Sequence, residues 1–299
     1  MRKYFFNGLV YLSLVFLVVF LYRYNYIDVK GLRFNPFYLT GAIIFLWLGF
    51  FGSTLGWKKA LLIHGVSIST RQAIVSHGLS VFAKFIPGKV WVILGRASKA
   101  TLQGQSIRTA SFASLKEQLV YVWLGLLQAL IVFFVSHRNF ELLLLILVLL
   151  AGLTLFNFSD WFRRISAYLF QKIFKKELDI PRVTPKELLQ LIGYIALYWL
   201  CWDIAFWLFV KSIFPEAPIL AAFVFPLSVT LGLLAIIVPG GLGVREGLII
   251  LGLSVYGIPV ELATTISIAS RLWYTTGELF IFVLALILDH VKRKSNPTN

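Results

Sequence analysis

The chain has 299 residues, 59% hydrophobic and only 14% charged, where a soluble domain carries roughly a quarter charged residues. Its 28 Lys and Arg outnumber its 13 Asp and Glu, giving a net charge of +15; on so apolar a chain that excess belongs to cytoplasmic loops and anionic headgroups, not to nucleic acid. No polar stretch is long enough for a soluble domain, and the single cysteine, Cys201, excludes a disulfide within the chain.

Nine apolar stretches succeed one another, at about 4–22, 36–56, 72–95, 109–136, 140–156, 188–213, 217–238, 241–256 and 260–289. Several reach or approach the ~20 residues that cross a bilayer core. The first follows Arg2 and Lys3, lacks a small-residue cleavage site and is too long for a signal-peptide core, so it reads as a retained span. The third contains Lys84, Pro87, Gly88 and Lys89, which predicts a re-entrant or broken helix.

Positive charge sets the orientation. The connector 157–187 carries Arg163, Arg164, Lys172, Lys175, Lys176, Arg182 and Lys186 and is predicted to be cytoplasmic. Lys58, Lys59 and Arg71 mark a second inner loop, and Lys292, Arg293 and Lys294 an inner tail. With Arg2 and Lys3 also inside, both termini are cytoplasmic and the number of crossings is even. Treating 72–95 as re-entrant gives eight. The segment 23–33, with Arg23, Lys30 and Arg33, runs against this orientation because it falls outside.

Within the connector, Trp161, Ile165, Leu169 and Ile173 recur every four residues, with Arg163, Arg164, Gln171 and Lys175 largely opposite. That pattern fits a helix lying on an anionic leaflet; a solvated basic connector is the alternative. Pro181 and Pro185 end it. The expected fold is therefore all-α: a polytopic membrane protein, one integral domain over 1–299, with about eight transmembrane helices plus a re-entrant or broken helix.

Two segments resemble each other. Residues 85–96 read FIPGKVWVILGR and residues 237–247 read IVPGGLGVREG, each an apolar approach, then Pro-Gly, then Arg. They lie about half the chain apart, which predicts an internal repeat with halves of about 1–156 and 188–290. Repeats of this kind are frequent in transporters, where broken helices meet near the midplane to form the site. Irregular backbone at membrane depth belongs inside protein or beside a water-filled cavity.

Charges at membrane depth are the second signal, because each costs about 2.5–3.5 kcal/mol on insertion scales. In 109–136, Ser114, Glu117, Tyr121 and Gln128 share a helical face, with Lys116 adjacent. In 260–289, Arg271 and Glu278 share a face with Tyr274 and Thr275. Asp203 sits among Trp199, Trp202 and Trp207, and Lys84, Lys89 and Arg96 surround the first break. Internal pairing that only fixes helix packing is the bland explanation, and the spacing of Gly243 and Gly247 suits close helix contact. The functional alternative is an anionic, amphipathic ligand partly within the bilayer. Arginine forks bind phosphate bidentately, and half-helix N-termini after Pro-Gly breaks offer amides to the same group. On that reading Arg96, Arg245 and Arg271, with Lys84 and Lys89, contact a lipid phosphate. Glu117, Glu246 and Glu278 balance those charges or engage the headgroup. Pro87, Gly88, Pro239, Gly240, Gly241 and Gly243 shape the broken backbone.

No phosphate-binding loop of the Gly-x-x-x-x-Gly-Lys-Ser/Thr type occurs, and no Gly-x-Ser-x-Gly. His64, His77, His137 and His290 are scattered without metal-ligand spacing. No cofactor, metal or catalytic residue is therefore expected.

The segment from Pro239 to Gly247, followed by an apolar helix, Gly257-Ile258-Pro259 and a span carrying Arg271, resembles the lysylphosphatidylglycerol synthase transmembrane family, also called flippase-like domain proteins. The segment from Phe85 to Arg96 fits the first-half motif more loosely, because Lys89-Val90-Trp91 replaces a more glycine-rich run. The resemblance covers essentially the whole chain. In multi-domain members such a region accompanies a soluble domain that transfers an aminoacyl group to phosphatidylglycerol, and the membrane region moves the product between leaflets. With the sequence ending at Asn299, the resemblance implies the translocation half without the transferase. Stand-alone relatives are associated with envelope glycolipid and polyprenyl-phosphate pathways.

The expectation is thus a flippase or scramblase in a bacterial or archaeal cytoplasmic membrane. Its cargo would be an anionic or aminoacylated phospholipid or a polyprenyl-phosphate-linked sugar. Two alternatives stand beside it. One is an integral-membrane transferase or hydrolase acting on lipid-linked sugars, with Glu246 or Glu117 as general base. The other is a non-transporting partner of an envelope enzyme.

Overall fold

A computed structural model describes residues 33–85, 90–101, 106–136, 140–174, 183–235, 241 and 243–295. The first predicted span at 4–22, the backbone at Pro87, Gly88, Lys89, Pro239 and Gly240, and the connector from 175 to 182 lie outside the described residues. Among the described residues the secondary structure is helical, with no strand. The helices are α1 (Pro36–Ile63), α2 (Thr70–Gly78), α3 (Val90–Ala100), α4 (Ile107–Ser136), α5 (Phe140–Phe158), α6 (Trp161–Phe174), α7 (Pro185–Ile213), α8 (Val224–Leu234), α9 (Val244–Val255) and α10 (Val260–Ser295). Short 3-10 turns at Val81–Phe85 and Ile219–Phe223 complete them.

Five of these helices, α1, α4, α5, α7 and α10, are long and apolar enough to cross a membrane. The stretches 72–95, 217–238 and 241–256 form shorter pieces. The third predicted stretch is not one continuous helix: α2, the 81–85 turn and α3 divide it among the described residues. The stretch 241–256 is helical only as α9, whose 12 residues extend about 18 Å, short of the ~30 Å hydrocarbon core. Of the stretch 217–238, the described helical part is α8 and its 3-10 lead-in.

Caps fix several helix starts. Asn35 precedes Pro36 at N1, and its Oδ1 accepts from Phe37 N at 3.0 Å. Thr184 precedes Pro185 and forms a reciprocal box with Glu187, whose carboxylate accepts from Thr184 N at 2.8 Å. Ser69 and Gln72 do the same for α2. These arrangements satisfy amides that a helix start leaves orphaned.

The longest packing seam joins α1 and α7, which run antiparallel. Asn35 N donates to Ser212 O (2.7 Å) at one end, and Lys59 Nζ to Gln190 Oε1 (2.6 Å) at the other. Small residues on α1 let the helices approach: a Cβ on Gly49 would lie 2.2 Å from Trp202 Cδ1. Gly49→Ala is therefore expected to lower stability by roughly 1–3 kcal/mol, the usual cost of overpacking, read as a lower thermal unfolding midpoint in detergent. An unchanged midpoint would show that Trp202 moves aside freely.

Aromatic rings fill the interior between α1, α4, α7, α8 and α10. Tyr121 stacks on Trp199 (4.6 Å), Phe50 meets Trp202 (5.3 Å) and Tyr274 (5.2 Å), and Phe209 stacks on Trp273 (5.0 Å). The indole of Trp199 donates to Tyr121 O at 3.1 Å, satisfying the polar edge that burial would otherwise strand. The outer face is apolar, with Phe140, Leu155, Leu189, Leu197 and Ile287 among its exposed side chains. On α5 only Ile146, Leu150 and Asn157 are buried. Such a surface suits lipid, not water.

Basic residues gather at one end. Lys58 and Lys59 lie in the last turns of α1 and not in a loop, because the helix continues past residue 56 to Ile63. Arg71 donates through Nε (3.2 Å) to Leu288 O near the end of α10, and Lys99 pairs with Asp289 (3.5 Å). Lys116 reaches the end of α5, donating to Asn157 O at 2.5 Å, a favourable place for a cation beside terminal carbonyls. The helix predicted within the connector is present as α6, with Tyr168 and Leu169 exposed.

Candidate functional site

Described residues that flank both Pro-Gly segments in sequence border one cavity. It has a volume of about 210 Å³, and its wall includes Phe50, Ser53, His77, Lys84, Arg96, Glu117, Tyr121, Tyr198, Trp202, Gly241, Arg245, Arg271, Tyr274 and Glu278. The 81–85 turn and α3 supply Lys84 and Arg96; residue 241 and α9 supply the second break.

The charges are built in as pairs. Arg96 on α3 and Glu117 on α4 form an ion pair, 2% and 3% exposed. Arg96 also donates through Nε to Ser114 Oγ (2.5 Å) and through Nη2 to Ser114 O (3.1 Å), and its guanidinium lies 4.4 Å from the Trp57 ring. Ser114 and Glu117, one turn apart, thus share one guanidinium, which explains their common face. Lys84 pairs with Glu278 on α10 and lies 5.2 Å from the Tyr274 ring.

The third pair ties the second break to α10. Glu246 accepts from Arg271 Nε (2.5 Å) with one oxygen and from Gly243 N (2.7 Å) with the other. Arg271 Nη2 reaches Gly241 O at 3.4 Å, and Ser267 Oγ donates to Glu246 O at 3.2 Å. Gly241 and Gly243 have φ of +69° and +74°. A Cβ on Gly241 would lie 2.8 Å from Gly232 O, so glycine is required both by the backbone and by the close approach to α8. Glu246 and Arg271 hold this bend in place.

Arg245 differs from the other cations. It is 5% exposed, and its Nε and Nη2 have no hydrogen-bond partner. Its guanidinium lies between the rings of Tyr274 (4.9 Å) and Phe225 (5.3 Å). Lys84, Arg96, Arg245 and Arg271 face three carboxylates, Glu117, Glu246 and Glu278, each already paired. Among the described residues the cluster therefore carries one excess positive charge, at the first turn of α9, where helix amides add positive potential.

Along α10 the pairs form a ladder. Arg271 joins α9, Glu278 joins the 81–85 turn and Asp289 joins α3. From residue 271 to 289 is about 27 Å at helical rise, close to the thickness of a hydrocarbon core.

Most predicted site residues thus converge. Lys84, Arg96, Glu117, Arg245, Arg271, Glu278 and Gly241 border the cavity; Glu246 and Gly243 stand behind its wall. Gln128, grouped by spacing with Glu117, turns instead to Asp203. Sequence reasoning missed the α1 contribution of Phe50, Ser53 and Trp57, and also His77, which is hydrogen-bonded to Thr54 at 2.8 Å. The adjacent hydroxyls Ser53 and Thr54 in an apolar run were the available signal. Among the described residues no group of His, Cys, Asp and Glu could hold a metal ion.

An all-helical, multi-pass membrane protein, with two helix breaks around a charged cavity, is the class that this geometry defines. Within it, the chain belongs to the family described as the lysylphosphatidylglycerol synthase TM region, which matches residues 5–284. Membership ties the chain to a lipid-related role in the membrane. No curated protein and no solved structure matches it significantly.

Proposed function

We propose that the chain is a lipid flippase or scramblase whose cavity takes the phosphate of an anionic lipid. The carrying observation is Arg245: a buried guanidinium whose Nε and Nη2 have no hydrogen-bond partner, in a cavity where, among the described residues, Lys84, Arg96 and Arg271 are each paired with a carboxylate. A guanidinium presents two parallel donors that match phosphate oxygens. One excess positive charge suits a singly charged phosphodiester. The apolar outer face gives the acyl chains a continuous lipid environment, while the ion-pair ladder on α10 gives a headgroup polar partners over most of the membrane depth.

The cargo classes that fit are an anionic or aminoacylated phospholipid and a polyprenyl-phosphate-linked sugar. The aromatic wall of Tyr121, Tyr198, Trp202 and Tyr274 suits the faces of a sugar or the charge of an aminoacyl group. The gathering of Lys58, Lys59, Arg71 and Lys99 at one end supports placing that end at the cytoplasmic side of a bacterial or archaeal inner membrane. Lys84 and Arg96, which flank the first Pro-Gly pair in sequence, and Gly241 and Arg245, which follow the second, all line the cavity, in keeping with the internal-repeat reading. Against a transferase or hydrolase, Glu117, Glu246 and Glu278 are each held by a cation, so none is poised as a general base.

Reconstitution in liposomes containing headgroup-labelled phosphatidylglycerol, its aminoacylated form or a polyprenyl-phosphate sugar tests the proposal. Faster loss of label from one leaflet than in protein-free vesicles is expected for at least one lipid. Rates equal to empty vesicles for all three would overturn it, and a change in lipid mass would point to chemistry instead.

A further inference from the structure

Asp203 lies in the middle of α7, 3% exposed. Its Oδ2 accepts from Gln128 Nε2 on α4 at 2.8 Å. Its Oδ1 has no partner, and neither has Gln128 Oε1. No described lysine, arginine or histidine pairs with it. The elements around it supply no counter-charge either. α8 and the 219–223 turn carry no titratable residue, and those of α1, Tyr38, Lys58 and Lys59, lie near its ends. From α4 it faces Tyr121, and on its own helix Cys201. α10 presents Tyr274, which packs on Trp202 (5.9 Å), and Arg245 of α9 is turned to Phe225 and Tyr274.

An ionised carboxylate and an amide oxygen are both acceptors only. Two buried acceptors on the same pair of side chains, each without a donor, mark a missing hydrogen. An ionised carboxylate with one neutral hydrogen bond is also a costly occupant of an apolar interior. A proton on Oδ1 resolves both problems. It removes the charge and donates to Gln128 Oε1, closing a cyclic acid–amide pair with two parallel hydrogen bonds.

We propose that Asp203 and Gln128 form a buried proton-binding site, with Asp203 held as the neutral acid across the α4–α7 seam. Loss of this proton leaves a buried carboxylate facing the Gln128 amide oxygen, two acceptors in contact, which favours a shift between α4 and α7 that lets the carboxylate gain a donor. Because α4 also carries Glu117 and Tyr121 on the cavity wall, proton release at Asp203 is coupled to the shape of that wall. The inference stands whether or not the cavity carries lipid.

Infrared difference spectroscopy of the full chain in lipid tests it directly. A protonated-carboxyl C=O band that shifts down in D2O is expected in the parent protein and absent in Asp203→Asn. In Gln128→Leu the band should persist at higher frequency, because its hydrogen bonds are lost. Asparagine reproduces both hydrogen bonds, so Asp203→Asn should unfold at the same temperature as the parent. Identical spectra for parent and Asp203→Asn would overturn the proposal. So would a carboxylate band lost in their place, or an Asp203→Asn protein that fails to fold.

Discussion

An Arg245→Gln protein is expected to fold normally and to lose lipid translocation. In the parent, two charge-assisted hydrogen bonds from the guanidinium to a phosphate would contribute roughly 1.5–3 kcal/mol each. At about 1.4 kcal/mol per factor of ten, losing both lowers affinity for the anionic lipid by about 100-fold or more. Stability should move little. The substitution forfeits the ring contacts with Tyr274 and Phe225, worth about 0.5–2 kcal/mol, and relieves a buried charge that lacks a partner. Arg245→Lys keeps the charge without the fork and should fall between the two. Leaflet-exchange rates together with unfolding midpoints check this. Full translocation by a well-folded Arg245→Gln protein would make the excess charge irrelevant and remove the main support for a phosphate site.

How much of this was legible beforehand depended on the kind of signal. Length and apolarity marked α1, α4, α5, α7 and α10, because a membrane-spanning helix needs a long uninterrupted run. The boundaries of α1 were less visible: Lys58 and Lys59 read as loop charges, yet lysines at a helix end keep the helix intact while their heads leave the apolar zone. Pro87-Gly88 and Pro239–Gly243 announced interruptions, since proline and glycine act locally. Charged residues at depth announced themselves by their cost.

Partner choice was not legible. Arg271 and Glu278 share a face at seven residues' spacing, yet Arg271 pairs with Glu246 and Glu278 with Lys84. Those pairings depend on how α9 and the 81–85 turn dock on α10, which no local pattern encodes. For the same reason Arg245 and Glu246, neighbours in sequence, have opposite situations. On a helix adjacent residues point about 100° apart, so one faces the cavity and the other closes the bend behind it. Phe50 and Trp57 were silent because an apolar stretch without charge looks alike whether it faces lipid or a cavity; only the Ser53–Thr54 hydroxyls hinted at a polar face.

The Arg96–Glu117 pair separates structural from functional roles most sharply. Both side chains are buried, and Ser114 holds the same guanidinium. Glu117→Gln leaves Arg96 uncompensated in a cavity that already holds the excess charge of Arg245, and is expected to destabilise the fold by about 3–5 kcal/mol, the usual result of breaking a buried pair from one side. Arg96→Met combined with Glu117→Leu removes both charges and leaves similar volume, so stability should return to near the parent level. Translocation should not return with it, because the cavity wall then lacks the Arg96–Glu117 charges and a headgroup loses its strongest polar partners on that side. Unfolding midpoints and liposome exchange rates for the two proteins measure these effects separately. A double variant that is both stable and fully active would assign the pair to helix packing alone. A stable but slow one would show that the polar wall itself, and not the tie between α3 and α4, is what the headgroup requires.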